Sequence, residues 1–162
     1  MQSETHPVEA SKCKDHLRKL LDDVPVKTAV GIGIQNLFKG RRVLENPRWY
    51  LPVGKVWTEP PERINSNMAG VVVLGKVEYS MRGTSGLFSY DIARTDLMVV
   101  TYFMMPLSET LFDNRFFVTV MKQRELDDTL YGDLNAKSNK PDDVIEQDLE
   151  NVRIKSIMTR SE

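Results

Sequence analysis

Residues 97–121 read LMVVTYFMMPLSETLFDNRFFVTVM, and this stretch decides the fold. Its first nine residues are apolar, aromatic or β-branched, which predicts a buried strand. Pro106 ends that strand because proline cannot donate a ladder hydrogen bond. A loop carrying Leu111 and Phe112 follows, and residues 116–121 predict a second strand. Two strands joined in this way indicate a hairpin in a mainly β protein.

Similar short segments lie on both sides of this hairpin. They are separated by turn-forming residues at fairly regular spacing, which is typical of a β-sandwich or barrel. A chain of 162 residues suits a single domain. The predicted strands are residues 29–34, 71–74, 77–79, 86–92 and 152–157, and residues 127–134 predict a short second helix.

Residues 8–23 predict an amphipathic helix, which Pro25 ends because the residue before proline avoids helical torsions. The apolar positions recur every three or four residues, as one helical face requires. They are Ala10, Cys13, Leu17, Leu20 and Leu21. We therefore expect an N-terminal helical segment, residues 1–27, attached to a sandwich formed by residues 28–162.

The composition argues against several classes of function. The chain has 22 Lys plus Arg and 23 Asp plus Glu, so no net field favours nucleic acid. Cys13, His6 and His16 all lie in the N-terminal segment, where they do not form a catalytic triad or a metal-ligand spacing. We therefore expect no enzyme activity, no metal, no cofactor and no nucleic-acid partner.

Two further features bear on the membrane and on export. The opening residues 1–7 lack a basic segment followed by an apolar one, so the sequence predicts no secretory signal. No run of about 18 to 20 apolar residues is present, so hydropathy predicts no membrane-spanning helix. Cytoplasmic and secreted locations both stay open at this point.

Several segments resemble the actinoporin family in order and spacing. Residues 103–106, Phe-Met-Met-Pro, with the loop at 111–114 and the strand from Phe116, resemble the family's Phe-Ser-Val-Pro, aromatic loop and tryptophan-bearing strand. Together the similar segments cover most of residues 28–134. The other similar segments are residues 29–32, the glycine-rich residues 83–90, and residues 130–134. Residues 46–50 and Pro60-Pro61 are most similar to the actinoporin-like branch found outside sea anemones.

The resemblance implies a β-sandwich flanked by two helices that binds phosphocholine headgroups, sphingomyelin above all. The positions that match the family's headgroup pocket are Ser85, Met104, Pro106, Phe112 and Tyr131. Of these, Met104 stands at a family serine and Ser85 at a family valine. Asn135 and Ala136 replace two family tyrosines, and Leu111, Arg115 and Phe116 replace interfacial tryptophans. We expect Trp49, Tyr50, Leu111 and Phe116 at the membrane interface.

The family also implies secretion and an oligomeric pore at the target membrane, lined by the N-terminal helix. The sixteen residues of segment 8–23 would make a helix about 24 Å long, shorter than the roughly 30 Å hydrocarbon core. The family continues into one more strand beyond residues 152–158, which this sequence lacks. The alternative function is a non-lytic, lectin-like or lipid- or protein-binding module with the same sandwich, with a glycan as its candidate partner.

Overall fold

The computed structural model describes residues 3–4, 6–107 and 113–159, so the predicted Leu111 and Phe112 lie outside the described residues. Within these ranges the chain forms twelve strands and two α-helices. In chain order they are β1 (Ser3–Glu4), β2 (Val8–Glu9), α1 (Cys13–Asp22), β3 (Ala29–Asn36), β4 (Leu44–Val53), β5 (Lys55–Glu59), β6 (Arg63–Ile64), β7 (Met68–Gly75), β8 (Thr84–Ile92), β9 (Leu97–Met105), β10 (Arg115–Lys122), α2 (Asp128–Lys137), β11 (Val144–Leu149) and β12 (Val152–Thr159).

The strands form two sheets that pack face to face, which confirms the predicted β-sandwich with two flanking helices. In the described residues, one sheet has the order β1-β5-β7-β3-β12-β11, with β2 also paired to β7. The other sheet has the order β10-β9-β8-β4-β6. We call them the first and the second sheet.

Side chains along β3 alternate between the two faces of the first sheet, and those that point inward help to form the core. Val30, Ile32 and Ile34 point inward, where they pack with residues of the second sheet such as Phe88 and Phe103. Gly31 and Gly33 point to the opposite, outer face. The outer face of the second sheet carries another apolar layer, with Leu87, Val100 and Tyr102 under α2. The layers are therefore α1, first sheet, core, second sheet and α2.

The N-terminal helix is shorter than predicted. Val8–Glu9 pairs with Ala69 and Met68 as strand β2, and Ala10–Lys12 form a 3₁₀ turn before α1 starts at Cys13. Hydrogen bonds to distant residues fix the segment that precedes α1. The Ala10 N–H donates to the Asn67 carbonyl over 3.0 Å, and the Gln35 amide donates to the Ala10 carbonyl. These partners override the helical periodicity of residues 8–12.

Three other segments differ from the sequence-based expectations. Residues 77–79, a predicted strand, lie in the loop between β7 and β8, where Ser80 N–H donates to the Val77 carbonyl over 3.1 Å. Strand β4 spans the aromatic segment around Trp49 despite containing Pro47 and Pro52, and its pairing with β8 has two irregularities. Strand β11 was not predicted, because its residues are mainly polar and exposed.

Candidate functional site

A pocket of about 470 Å³ opens at the end of the second sheet where β8 begins and β9 ends. It contains three residues that the sequence predicted for a headgroup site: Ser85, Met104 and Pro106. The complete lining is Val53, Met81, Arg82, Gly83, Thr84, Ser85, Met104, Met105, Pro106 and Leu107. The strand pairing itself brings two of these side chains together, because Ser85 and Met104 are register partners.

Gly83 allows the pocket walls to meet. A Cβ atom at this position would lie 2.0 Å from the Met105 carbonyl oxygen and 2.8 Å from the carbonyl carbon of Pro106. Such distances are far inside van der Waals contact, so no other residue fits here without moving the backbone. The loop before β8 therefore lies directly against the segment that follows β9.

Helix α2 brings a fourth predicted residue, Tyr131, into contact with the pocket residue Ser85. The Asp127 carboxylate caps the helix by accepting a hydrogen bond from the Leu130 N–H over 2.9 Å. Leu130 and Leu134 are buried in the apolar layer on the outer face of the second sheet. With the helix fixed in this way, the Tyr131 hydroxyl donates to Ser85 Oγ over 2.9 Å. The half-buried Tyr131 ring is thus held beside the pocket.

Two more tyrosines surround Tyr131, and we call the three rings the tyrosine cluster. The ring centroids of Tyr131 and Tyr50 lie 6.3 Å apart in an edge-to-face arrangement. Those of Tyr131 and Tyr102 lie 5.2 Å apart. Tyr50 was predicted at the membrane interface, whereas Tyr102 was missed. The signal for Tyr102 is its spacing, since residues 102 and 104 point to the same side of one strand.

The tyrosine hydroxyls have fixed partners. Tyr102 donates to Asn135 Oδ1 over 2.6 Å, and burial raises the pKa of Tyr102 well above its ordinary value. Tyr50 donates to Asp128 Oδ1 over 3.3 Å. Desolvation and the Asp128 carboxylate together raise the pKa of Tyr50. Both phenols therefore stay neutral and keep their rings in place at physiological pH.

Opposite charges flank this region. Arg82 lines the pocket, while the Asp128 carboxylate lies at the outer side of the tyrosine cluster. An aromatic surface beside a carboxylate attracts a cation, and a guanidinium attracts phosphate. The region therefore offers a group that attracts anions and a separate group that attracts cations.

Two other predicted interface residues, Trp49 and Phe116, lie away from this pocket. Trp49 is 38% exposed and lines a second pocket of about 500 Å³ together with Glu45, Asn46, Glu59, Glu62 and Arg63. Phe116 is only 6% exposed, and its ring packs in the core between the sheets. Its predicted position at the membrane interface is therefore corrected, since inward alternation in β10 places the ring away from the surface. Asn135 and Ala136 are exposed in the last turn of α2.

The residues predicted to line a pore cover the outer face of the first sheet. Cys13, Leu17 and Leu21 are buried against this face, whereas Ala10 and Leu20 are half-buried. Burial raises the pKa of the Cys13 thiol to about 11, so the docked thiol is a poor nucleophile. No helix in the described ranges combines the length and the apolar character that crossing a bilayer requires. In the same ranges, no group of three acidic, histidine or cysteine side chains is arranged to hold a metal ion.

Comparison with known proteins identifies the fold. No protein-family model and no curated protein sequence matches the chain. Among solved structures, the chain is similar to that of the lipid binding protein Nakanori, with a TM-score of 0.66 and 14% sequence identity. The similarity covers 93% of this chain and 80% of the other. At this identity the two proteins share the sandwich architecture.

Proposed function

We propose that this protein binds membrane lipids by docking its pocket on phosphocholine headgroups, with sphingomyelin among its ligands. The observation that carries the proposal is the hydrogen bond from Tyr131 to Ser85, which holds an aromatic ring beside a pocket also lined by Met104 and Pro106. The lipid-binding description of the structurally similar protein and the resemblance to actinoporins support the same function.

In this proposal the two ends of the headgroup meet different groups. The choline ammonium lies against the tyrosine cluster near Asp128, where each ring contributes about 0.5 to 2 kcal/mol. The phosphate lies near Arg82, a side chain that lines the pocket. Met104 and Pro106 supply apolar walls. Recognition therefore needs the ring of Tyr131 more than its hydroxyl.

Vesicle sedimentation tests this proposal. The wild-type chain should bind phosphatidylcholine vesicles, more strongly when they contain sphingomyelin, and should bind phosphatidylglycerol vesicles without choline lipids more weakly. Tyr131→Ala should weaken binding to the choline vesicles roughly 2- to 30-fold, since one ring is lost. Tyr131→Phe keeps the ring but loses the hydrogen bond to Ser85, so its affinity should lie between those of the wild type and Tyr131→Ala.

Val144→Ser on β11 is the matched control, since it removes an exposed apolar side chain that does not line the pocket. Its vesicle affinity should equal that of the wild type, and circular dichroism should show that all variants are folded. Unchanged affinity of Tyr131→Ala, or equal binding to vesicles without choline lipids, would contradict the headgroup proposal.

We further propose that α1 leaves the first sheet on the membrane and takes part in an oligomeric, cation-permeable pore. The amphipathic pattern supports this, because the buried face of Cys13, Leu17 and Leu21 is the face that a bilayer would accept. Ten residues of helix measure about 15 Å, so spanning the hydrocarbon core requires neighbouring residues to become helical.

Cys13 reports this step. In solution its buried thiol should react slowly with a membrane-permeant maleimide, and on sphingomyelin vesicles it should react faster with the same reagent if the helix is released, since its apolar face then lies at the bilayer surface. Cation-selective dye and ion release from the same vesicles measures the pore. If the vesicles bind the protein, do not leak and leave the thiol protected, the function is limited to docking.

The pocket around Trp49 favours a glycan-binding function as the second candidate. An exposed indole among carboxylates and an amide offers a flat apolar surface with hydrogen-bonding groups at its edge, as carbohydrate sites require. Glycan-array binding that is lost in Trp49→Ala and kept in Tyr131→Ala would support this candidate.

A further inference from the structure

The loop between β7 and β8 exposes an unusual amount of apolar surface. Among the described residues, three of the six large hydrophobic side chains that are exposed lie on this loop. Val77 is 43% exposed, Met81 is 83% exposed, and Tyr79 is fully exposed. Clustered exposed apolar side chains mark an interaction surface, whereas single ones do not.

The fold does not explain Tyr79. Its backbone has a φ of 62°, in the left-handed region that is uncommon for a bulky side chain. Its ring packs against nothing that would compensate this strain, since it is fully exposed. Glycine or asparagine would suit this position better for stability. A large aromatic ring at this position therefore points to a function outside the fold.

The loop is held firmly at its base. Lys55 Nζ lies 2.7 Å from the Glu78 carboxylate and 3.9 Å from the centroid of the Trp57 ring. Trp57 Nε1 donates to the Lys76 carbonyl over 3.2 Å. At the tip, Ser80 Oγ accepts a hydrogen bond from the Arg82 N–H over 3.0 Å. The exposed side chains therefore project from an ordered turn.

The loop is continuous with the pocket described above. Met81 and Arg82 line that pocket, and Gly83 lies against the backbone of Met105 and Pro106. A surface that presents its headgroups to the pocket therefore also meets the loop. The loop carries Lys76 at its start and Arg82 at its end, and cations at these positions suit a layer of lipid phosphates.

We propose that Val77, Tyr79 and Met81 insert into the apolar layer of a phospholipid bilayer and anchor the protein beside the occupied headgroup pocket. This inference rests on the proposed function and adds a second contact with the same membrane. The headgroup pocket selects the lipid, and the loop supplies most of the apolar contact. A tyrosine ring is well placed for this task, because its apolar body enters the interface while its hydroxyl stays hydrated.

The test uses the double variant Val77→Ser/Tyr79→Asn, which leaves the pocket residue Met81 unchanged. Asparagine tolerates the left-handed backbone, so the variant should fold at least as well as the wild type. Its affinity for phosphatidylcholine–sphingomyelin vesicles should fall about tenfold or more. The matched control is Val144→Ser on β11, which removes another exposed apolar side chain and should leave affinity unchanged.

A depth measurement gives an independent readout. In a Cys13→Ser background, an environment-sensitive dye on Tyr79→Cys should shift to the blue on vesicles and be quenched by lipids brominated along their chains. The same dye on Val144→Cys should stay in water. Undiminished binding of the double variant, or a dye at position 79 that stays in water on bound protein, would overturn the anchor.

The outcomes separate this inference from the headgroup proposal. Weak binding of the loop variant with full binding of Tyr131→Ala would support the anchor and contradict headgroup recognition. The reverse result would overturn the anchor alone, and wild-type protein that binds no vesicle would overturn both. A concentration-dependent dimer that the loop variant abolishes, with membrane affinity unchanged, would assign the loop to a second copy of the chain and also overturn the anchor.

Discussion

Gly31 and Gly33 set how closely α1 approaches the first sheet. A Cβ atom at Gly31 would lie 2.4 Å from Leu17 Cδ1, and one at Gly33 would lie 2.4 Å from Cys13 Sγ. The two glycines thus form a shallow groove that accepts the buried face of the helix. The Gly-Ile-Gly pattern of this strand is explained by helix packing.

This geometry gives a prediction at the residue scale. Gly31→Ala should lower the free energy of unfolding by about 1 to 3 kcal/mol, because the new methyl group overpacks the contact with Leu17. Urea denaturation measures the change. Gly132→Ala is the matched control, since a Cβ there meets nothing within 4 Å and alanine favours the helix α2 by up to about 1 kcal/mol. Equal stability of the two variants would contradict the packing argument.

At the scale of single elements, α1 shows what the sequence could and could not predict. The periodicity of residues 13–22 was sufficient to identify the helix, and its end at Asp22, shortly before Pro25, agrees with the predicted stop. The start was wrong, because strand pairing of Val8 and the bonds to Ala10 depend on residues distant in sequence. Local patterns do not contain these partners.

Helix α1 also carries a titratable group that ties its docking to pH. Within the described residues, His16 Nε2 is buried and has no hydrogen-bond partner. Burial, together with the charge of Lys19, lowers the pKa of His16 below its ordinary 6.5. The unfolded chain therefore binds a proton more readily than the folded one, so stability is lost as the pH falls through 6.5.

We expect the urea midpoint to decrease as the pH is lowered from about 7.5 to about 5.5. We expect His16→Gln to reduce this pH dependence. His6→Gln is the control, because His6 is exposed at the start of the chain and should leave the dependence as in the wild type. A pH dependence that is unchanged in His16→Gln would exclude this histidine as its source.

At the scale of the whole molecule, Tyr90 helps to tie the second sheet to the connection between β5 and β6. Its buried hydroxyl donates to the Pro61 carbonyl over 2.6 Å. Tyr90→Phe should lower the free energy of unfolding by about 1 kcal/mol in thermal or urea denaturation, since the carbonyl loses its buried donor. Tyr79→Phe, at an exposed ring, should have no effect. An unchanged Tyr90→Phe variant would contradict a stabilising role for this hydrogen bond.

The sandwich could be predicted from its strands, but the site could be predicted only in part. Residues 97–105 form β9 as expected, and the resemblance selected Ser85, Met104 and Pro106, which line one pocket. Tyr102 and Asp128 were missed because their roles depend on how α2 lies over the sheet. Residues 77–79 looked like a strand because valine and tyrosine favour strands, whereas the structure uses them in an exposed turn.

The two helices cover opposite outer faces of the sandwich, with both sheets and the core between them. The proposed lipid capture beside α2 therefore involves no contact with α1. If both events occur on a membrane, the bilayer itself couples them, by holding the molecule at a height where the released α1 meets lipid instead of water. A mutation can then block release of α1 without disabling lipid capture, whereas a mutation that blocks lipid capture should also prevent release.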